Sequence, residues 1–255
     1  MRYGLIGEKL GHSYSKIIHE KLADYQYDLI PLSREGFHTF MEMRDFTAIN
    51  VTIPYKQEVI PYLDFLEPLA GKIGAVNTIV NKGGQLSGYN TDFYGFIYML
   101  AHNGIHVGGK KCLILGNGGT SRTVQAVLNH LEAESILVVN RSSSDTVISY
   151  EDCYKNHTDA EIIVNTTPLG MYPDVDASPL DLTPFTECEA AVDAIFNPLK
   201  TKFALQAEGL GMKAVTGLEM LVAQAKQAVE IFLDTRIKEE VIDKIYHELL
   251  EIIKK

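Results

Sequence analysis

The chain is short of positive charge: 23 Lys and Arg stand against 33 Asp and Glu, a formal net charge of −10 at pH 7. Such a balance repels a phosphate backbone and argues against a nucleic-acid partner. Long apolar runs are missing too. None approaches the roughly 18 residues of a membrane span, and Met1-Arg2-Tyr3-Gly4-Leu5-Ile6-Gly7 is too short for the apolar core of a signal peptide, so a cytoplasmic protein is expected. Cysteine is scarce. Cys112, Cys153 and Cys188 are odd in number and far apart, with no C-x-x-C pair, so neither a disulfide framework nor a zinc site is readable and no metal is expected. They read as packing residues. Internal repeats and low-complexity segments are absent. What remains is globular: 255 residues make one large domain or two of ordinary size, and an apolar share of 46% suffices for a core.

Short β-rich runs alternate with longer segments of helical spacing, so the expected fold class is α/β. The first half predicts strands at residues 3–6, 27–32, 47–51, 76–80 and 85–89, with helices at 16–24 and 35–43. Lys82-Gly83-Gly84 between the last two strands suits a hairpin turn, which makes this first sheet mixed. After a helix at 93–102, Asn103-Gly104 and Gly108-Gly109 mark a boundary, placing a first domain at 1–103 and a second at 104–217. The second domain predicts strands at 112–115, 135–139, 161–164, 191–194 and 212–215, a second βαβ unit. From Gly217 onward, Leu221, Ala225, Ala228 and Phe232, then Val241, Ile245, Leu249 and Ile252, form apolar helical stripes. No strand follows them, so helices within 218–255 are expected to pack back on the first domain.

Gly116-Asn117-Gly118-Gly119-Thr120-Ser121 lies between a buried strand and a helix at 122–130. In that context a glycine-rich turn lets backbone approach a pyrophosphate, with the helix amino end offering N–H groups and a positive dipole. Glycines also serve tight turns that bind nothing. The next strand ends at Asn140-Arg141-Ser142-Ser143-Ser144, 24 residues after Gly116, where an NAD site would carry an acidic residue for the ribose hydroxyls. Arg141 and the neighbouring hydroxyls suit a 2′-phosphate and hence NADP. The competing reading is an exposed arginine in a polar turn, with Asp145 nearby to oppose a phosphate.

Four loops of the first domain share small hydroxyl and amide side chains: Gly11-His12-Ser13-Tyr14-Ser15, Asn50-Val51-Thr52-Ile53-Pro54-Tyr55-Lys56, Asn77-Thr78 and Asn90-Thr91-Asp92. Taken singly, Ser13, Ser15 and Asp92 could be helix caps, Asn90-Thr91 a turn, and Lys56 a solvated surface lysine. Together at one sheet edge they look like a pocket for a small polyol, which needs many neutral hydrogen bonds in fixed directions.

Seven motifs in order carry a resemblance across nearly the whole chain: Gly11-His12-Ser13-x-Ser15, Asn50-Val51-Thr52-x-Pro54-x-Lys56, Gly74-Ala75-Val76-Asn77-Thr78, Gly88-x-Asn90-Thr91-Asp92, the loop at Gly116, Asn165-x-Thr167-Pro168-x-Gly170-Met171 and Gly217-x-x-Met220-Leu221-Val222-x-Gln224. The sequence resembles the shikimate dehydrogenase family. The resemblance implies a mixed-sheet substrate domain beside a Rossmann-like NADP-binding domain, and reversible NADP-dependent reduction of 3-dehydroshikimate to shikimate in aromatic amino-acid biosynthesis. It carries over Lys56 and Asp92 as the catalytic pair, Ser13 and Ser15 for the substrate carboxylate, Asn77, Thr52 and Gln224 for the ring hydroxyls, and Asn50 as a pocket-shaping residue. For the cofactor it implies Gly116, Asn117, Gly118, Gly119, Thr120 and Ser121 at the pyrophosphate, and Asn140, Arg141 and Ser142 at the adenosine phosphate. Asn165, Thr166, Pro168 and Met171 would run past the ribose and nicotinamide, with Gly217 a further cofactor contact. The expected partners are small molecules alone, with the chain a monomer or homodimer.

Three positions depart from the family pattern. Lys16 follows Ser15 where a proline is usual, a second basic residue after Asn140-Arg141 is replaced by Ser144-Asp145, and the tyrosine that contacts the substrate carboxylate is Phe196. Phe196 and Asp145 keep open a quinate or dual quinate/shikimate dehydrogenase using NAD. A catalytically silent ligand-binding member is the other alternative, against which the presence of both Lys56 and Asp92 argues.

Overall fold

The computed structural model describes residues 2–11 and 13–253; His12 of the first motif lies outside the described residues. The chain divides into two compact units, Met1–Gly95 with Leu221–Lys255, and Phe96–Met220. In chain order the first unit opens with β1 (Tyr3–Gly7), α1 (Ser15–Leu22), β2 (Tyr27–Pro31), α2 (Arg34–Met43), β3 (Ala48–Val51), β4 (Phe65–Leu66), α3 (Pro68–Ile73), β5 (Thr78–Lys82), β6 (Gln85–Tyr89) and the start of α4 (Asp92–His102). Its strands form one sheet ordered β2-β1-β3-β5-β6-β4. β1 runs parallel to β2 and β3, while β5 is antiparallel to β3 and β6, so the sheet is mixed. Sequence pattern did not show β4 or α3. Two residues carry no alternation, and α3 is set by ends rather than by periodicity: the Glu67 side chain accepts from Ala70 N–H, and Gly74 stops the helix at φ 68°.

The second unit contains β7 (Lys111–Leu115), α5 (Gly119–His130), β8 (Ser135–Asn140), β9 (Val147–Ser149), α6 (Tyr150–Asn156), β10 (Ile162–Asn165), β11 (Ala190–Asp193), α7 (Lys202–Gly209) and β12 (Lys213–Thr216). Its sheet is ordered β12-β11-β10-β7-β8-β9, every pair parallel. This is the doubly wound order, and strand succession reverses between β7 and β10, where such sheets bind ligands. Buried runs such as Cys112–Leu115 and Ile162–Val164 fit strands covered on both faces. The three cysteines are free and buried here; burial pushes Cys112 up to about 12 and Cys153 and Cys188 up to about 11, which leaves no thiolate at neutral pH.

The chain ends in α8 (Leu218–Leu233) and α9 (Glu240–Ile253). Strand alternation in the first unit explains why they return to it. One face of the mixed sheet packs Ile6, Ile49, Val51 and Ile79 against Phe37 and Met41 of α2. The other packs Leu5, Tyr27, Ala48 and Val80 against Phe232 of α8. Lys21 of α1 pairs with Glu248 of α9 at 2.5 Å. Among the described residues no helix is long and apolar enough to cross a membrane.

Candidate active site

One end of the mixed sheet gathers the carboxyl ends of β1, β3 and β6 with the amino end of antiparallel β5, and so brings the polar loops together. Asn50 of β3 lies opposite Thr78 of β5 in register. Lys56, in the turn-rich segment after β3, donates from Nζ to Asp92 Oδ2 at 2.6 Å, and their side chains are only 12% and 8% exposed. Asp92 Oδ1 accepts from Asn77 Nδ2 at 3.0 Å, and the same amide nitrogen faces Thr91 Oγ1 at 3.0 Å and Gln224 Oε1 at 3.3 Å. Lys56, Asp92, Asn77 and Gln224 thus share one network, which Asn50 joins through Asn77 O and Thr78 Oγ1, both at 3.1 Å. Capping of α4 falls to Asn90, whose Oδ1 accepts from Phe93 N–H at 3.1 Å, so that the Asp92 carboxylate faces Lys56 and Asn77. At the start of α1, Ser13 Oγ accepts from Ser15 N–H at 3.2 Å. Lys16 turns to Glu20 at 2.6 Å and to the Tyr27 carbonyl at 2.8 Å. Thr52 is half-buried just beyond β3.

In the second unit the Gly116–Ser121 loop joins β7 to α5. Gly116 sits at φ 100°, where a Cβ would come within 3.0 Å of Thr167 Cγ2 and 3.1 Å of Thr166 Oγ1, so both conformation and crowding demand glycine. At Gly118, the N-cap of α5, a Cβ would meet nothing within 4 Å, and a glycine there brings no capping side chain to the first helical turn. That open space beside N–H groups and the positive helix end fits a pyrophosphate. Asn117 and Gly118 are exposed, Gly119 and Thr120 half-buried, and Ser121 is buried with Gln125 Nε2 at 3.3 Å. At the end of β8, Asn140 Oδ1 accepts from Arg141 N–H at 2.8 Å, while Arg141 and Ser142 are exposed. The residues present fit a phosphorylated dinucleotide.

The Asn165–Met171 loop is tied down from below. Thr166 Oγ1 donates to Leu115 O at 2.7 Å, and Asn165 Oδ1 accepts from Thr167 N–H and Oγ1 at 2.9 and 2.7 Å. Pro168 and Met171 are exposed on the same loop, and Phe196 is half-buried after β11. Gly217 is glycine for a local reason: its Cβ would lie 2.3 Å from Ala194 O.

Sequence reading passed over Asp193, the buried last residue of β11, although an acid closing the apolar run Ala190-Ala191-Val192 is a visible signal. Its carboxylate accepts from Asn165 Nδ2 and Ile195 N–H, both at 3.0 Å, and from Thr201 Oγ1 at 2.7 Å. Burial outweighs these bonds and raises Asp193 from 3.8 to about 6. The folded chain therefore holds a proton between about pH 4 and 6 that the unfolded chain has released, so this group's contribution to stability falls as pH rises through that window and is flat above it. Asp193→Asn keeps an acceptor for Asn165 and Ile195 and carries no charge. Denaturant unfolding is expected to show the variant gaining on wild type between pH 4 and 7, by on the order of 3 kcal/mol. A difference independent of pH would mean that the carboxylate is ionised throughout.

Comparison with known proteins follows the same outline. The family model for the shikimate dehydrogenase substrate binding domain matches residues 5–79. The chain is 36% identical over 264 residues to the Shikimate dehydrogenase (NADP(+)) of Clostridium perfringens, with 97% of each covered. Among solved structures, Shikimate Dehydrogenase 1 of Peptoclostridium difficile has a TM-score of 0.92 at 36% identity, covering 98% of each chain. Shikimate 5-Dehydrogenase of Thermus thermophilus, solved in complex with NADP(H) and shikimate, has a TM-score of 0.86 at 30% identity, covering 97% of this chain and 99% of that one.

Proposed function

The chain belongs to the shikimate dehydrogenase family, and on that premise we propose an enzyme in which Lys56 and Asp92 are the catalytic pair for NADP-dependent interconversion of 3-dehydroshikimate and shikimate, a step of aromatic amino-acid biosynthesis. The observation that carries the assignment is the 2.6 Å contact between Lys56 Nζ and Asp92 Oδ2 inside a cluster of amides and hydroxyls. Reduction of a ketone needs a hydride on carbon and a proton on oxygen; bound NADPH supplies the hydride. Lys56 supplies the proton, which requires its ammonium within about 3 Å of the carbonyl oxygen, and its charge stabilises the alkoxide as it forms. Asp92, itself held by Asn77, keeps the ammonium aimed, and in the reverse direction the pair receives the proton.

Around that pair, Asn77, Thr52 and Gln224 hold the ring hydroxyls, Ser13 and Ser15 the carboxylate, and Asn50 shapes the pocket. Residues Gly116 to Ser121 hold the pyrophosphate; Asn140, Arg141 and Ser142 hold the 2′-phosphate. Asn165, Thr166, Pro168, Met171 and Gly217 line the path of the ribose and nicotinamide. The first unit is then the substrate side and the second the cofactor side, in an enzyme of the cytoplasm that works as a monomer or homodimer on small molecules alone. Initial rates with shikimate and quinate, each with NADP and NAD, test the reading. Shikimate with NADP is expected to give the highest kcat/KM, and a higher value for quinate with NAD overturns it.

Phe196 is the feature that favours quinate as an alternative substrate. It removes a hydroxyl donor that the family directs at the substrate carboxylate. A charge-assisted hydrogen bond contributes about 1.5–3 kcal/mol, so Phe196→Tyr is expected to lower the KM for shikimate by about tenfold or more. A bridging water already in that place shrinks the gain. An unchanged KM for both acids would show that position 196 does not face the carboxylate.

A further inference from the structure

Tyr27 is fully buried in β2 and belongs to none of the sequence motifs. Its ring stacks on His19 of α1 with centroids 4.0 Å apart and planes 14° apart, and its hydroxyl lies 2.7 Å from Asn50 Oδ1. His19 in turn bonds through Nδ1 to the Tyr25 hydroxyl at 2.8 Å, and burial lowers it to about 3, so the stack is uncharged at neutral pH.

The direction of each hydrogen bond follows from groups that can act only one way. Asn77 O is a backbone carbonyl, which only accepts, so the Asn50 atom facing it at 3.1 Å is the amide nitrogen, and Oδ1 is left to receive the Tyr27 proton. Asn50 Nδ2 also donates to Thr78 Oγ1, which frees the Thr78 proton for Asn77 Oδ1 at 3.0 Å. Thr91 N–H, which only donates, meets the same Oδ1 at 2.7 Å. With Asn77 Oδ1 turned inward, its Nδ2 must face Asp92 Oδ1 and Gln224 Oε1.

We infer that Tyr27 is a positioning residue for the substrate site: its hydroxyl supplies the donor that Asn50 Oδ1 requires in a chain of bonds running Tyr27 to Asn50 to Thr78 to Asn77, whose polarity the Asn77 carbonyl and the Thr91 N–H set, and so helps hold the Asn77 amide turned toward Asp92. The inference rests on the proposed role of Asn77 and Asp92. Without the Tyr27 proton, Asn50 Oδ1 is a buried acceptor with no donor, and a flip of either amide would set like groups face to face.

The test uses the whole 15N-labelled chain. Tyr27→Phe is expected to move the side-chain amide signals of both Asn50 and Asn77 while that of Asn165 in the other unit stays. In assays it should lower kcat/KM for shikimate by about tenfold, with the KM for NADP within about twofold of wild type, and have no further effect in an Asn50→Ala background. Substituting 3-fluorotyrosine at position 27 keeps the donor and strengthens it; it should move the same amide signals with kcat/KM retained, and it reads the chain even where Tyr27→Phe fails to fold. Unmoved Asn77 signals in both substituted proteins overturn the inference. So does lowered thermal stability with kcat/KM unchanged. Should wild type fail to act on shikimate, the proposed function falls, while the amide signals still decide whether Tyr27 orients Asn77.

Discussion

Replacing Lys56 with alanine is expected to lower kcat by about 10² or more, the scale of a positioned proton donor, while the protein stays folded. Asn50, Asn77, Thr78, Thr91 and Gln224 are neutral, so within this cluster Lys56 brings the positive charge and Asp92 the negative one. Loss of the ammonium removes both the proton and the charge that meets the forming alkoxide. Folding survives because Asp92 keeps its bond to Asn77 and because Lys56 lies in a turn segment whose carbonyl, not its side chain, bonds Val76 N–H at 2.7 Å. Circular dichroism and a melting curve check the fold, and steady-state rates check kcat. A near-normal kcat removes Lys56 from the mechanism.

Arg141→Ala is expected to raise the KM for NADP by about tenfold or more and to leave that for NAD nearly unchanged, since a charge-assisted bond contributes about 1.5–3 kcal/mol and only NADP carries the 2′-phosphate. The turn that holds Arg141 is shaped by Asn140, which accepts the Arg141 N–H, so truncating the side chain leaves the backbone path intact. Asp145 is exposed in the same turn. Asp145→Ala should therefore work in the opposite direction, tightening NADP. Equal effects of Arg141→Ala on both cofactors would make the arginine a structural residue.

Alternating and apolar runs made most strands of both sheets legible, because β1, β7 and β10 announce themselves by what they bury. Elements held by their ends stayed hidden: α6 is capped by Ser149, whose side chain accepts from Asp152 N–H, and α7 by Thr201, which accepts from Ala204 N–H, and neither is long enough to show a stripe. The polar site was legible as four loops of one chemical character, yet what each side chain does was not. Asn50 reads as a pocket residue, but both ends of its amide are engaged by Tyr27, Asn77 and Thr78. Tyr27 escaped because a tyrosine in a short strand looks ordinary until the neighbour of its oxygen is known. Sequence distance hides such partners: Asn77 and Gln224 are 147 positions apart.

That separation bears on synthesis at the ribosome. Residues 221–255 belong to the same unit as residues 1–95, but they are translated only after the entire second unit. Until they emerge, the sheet face of Leu5, Ala48 and Val80 lacks Phe232, and the Asn77 amide lacks Gln224. The second unit, continuous in the chain, can close on itself first, whereas the nascent first unit must wait with apolar surface open to water or to a chaperone. A chain arrested after residue 220 is accordingly expected to protect the second unit from protease and to leave the first one open to cleavage.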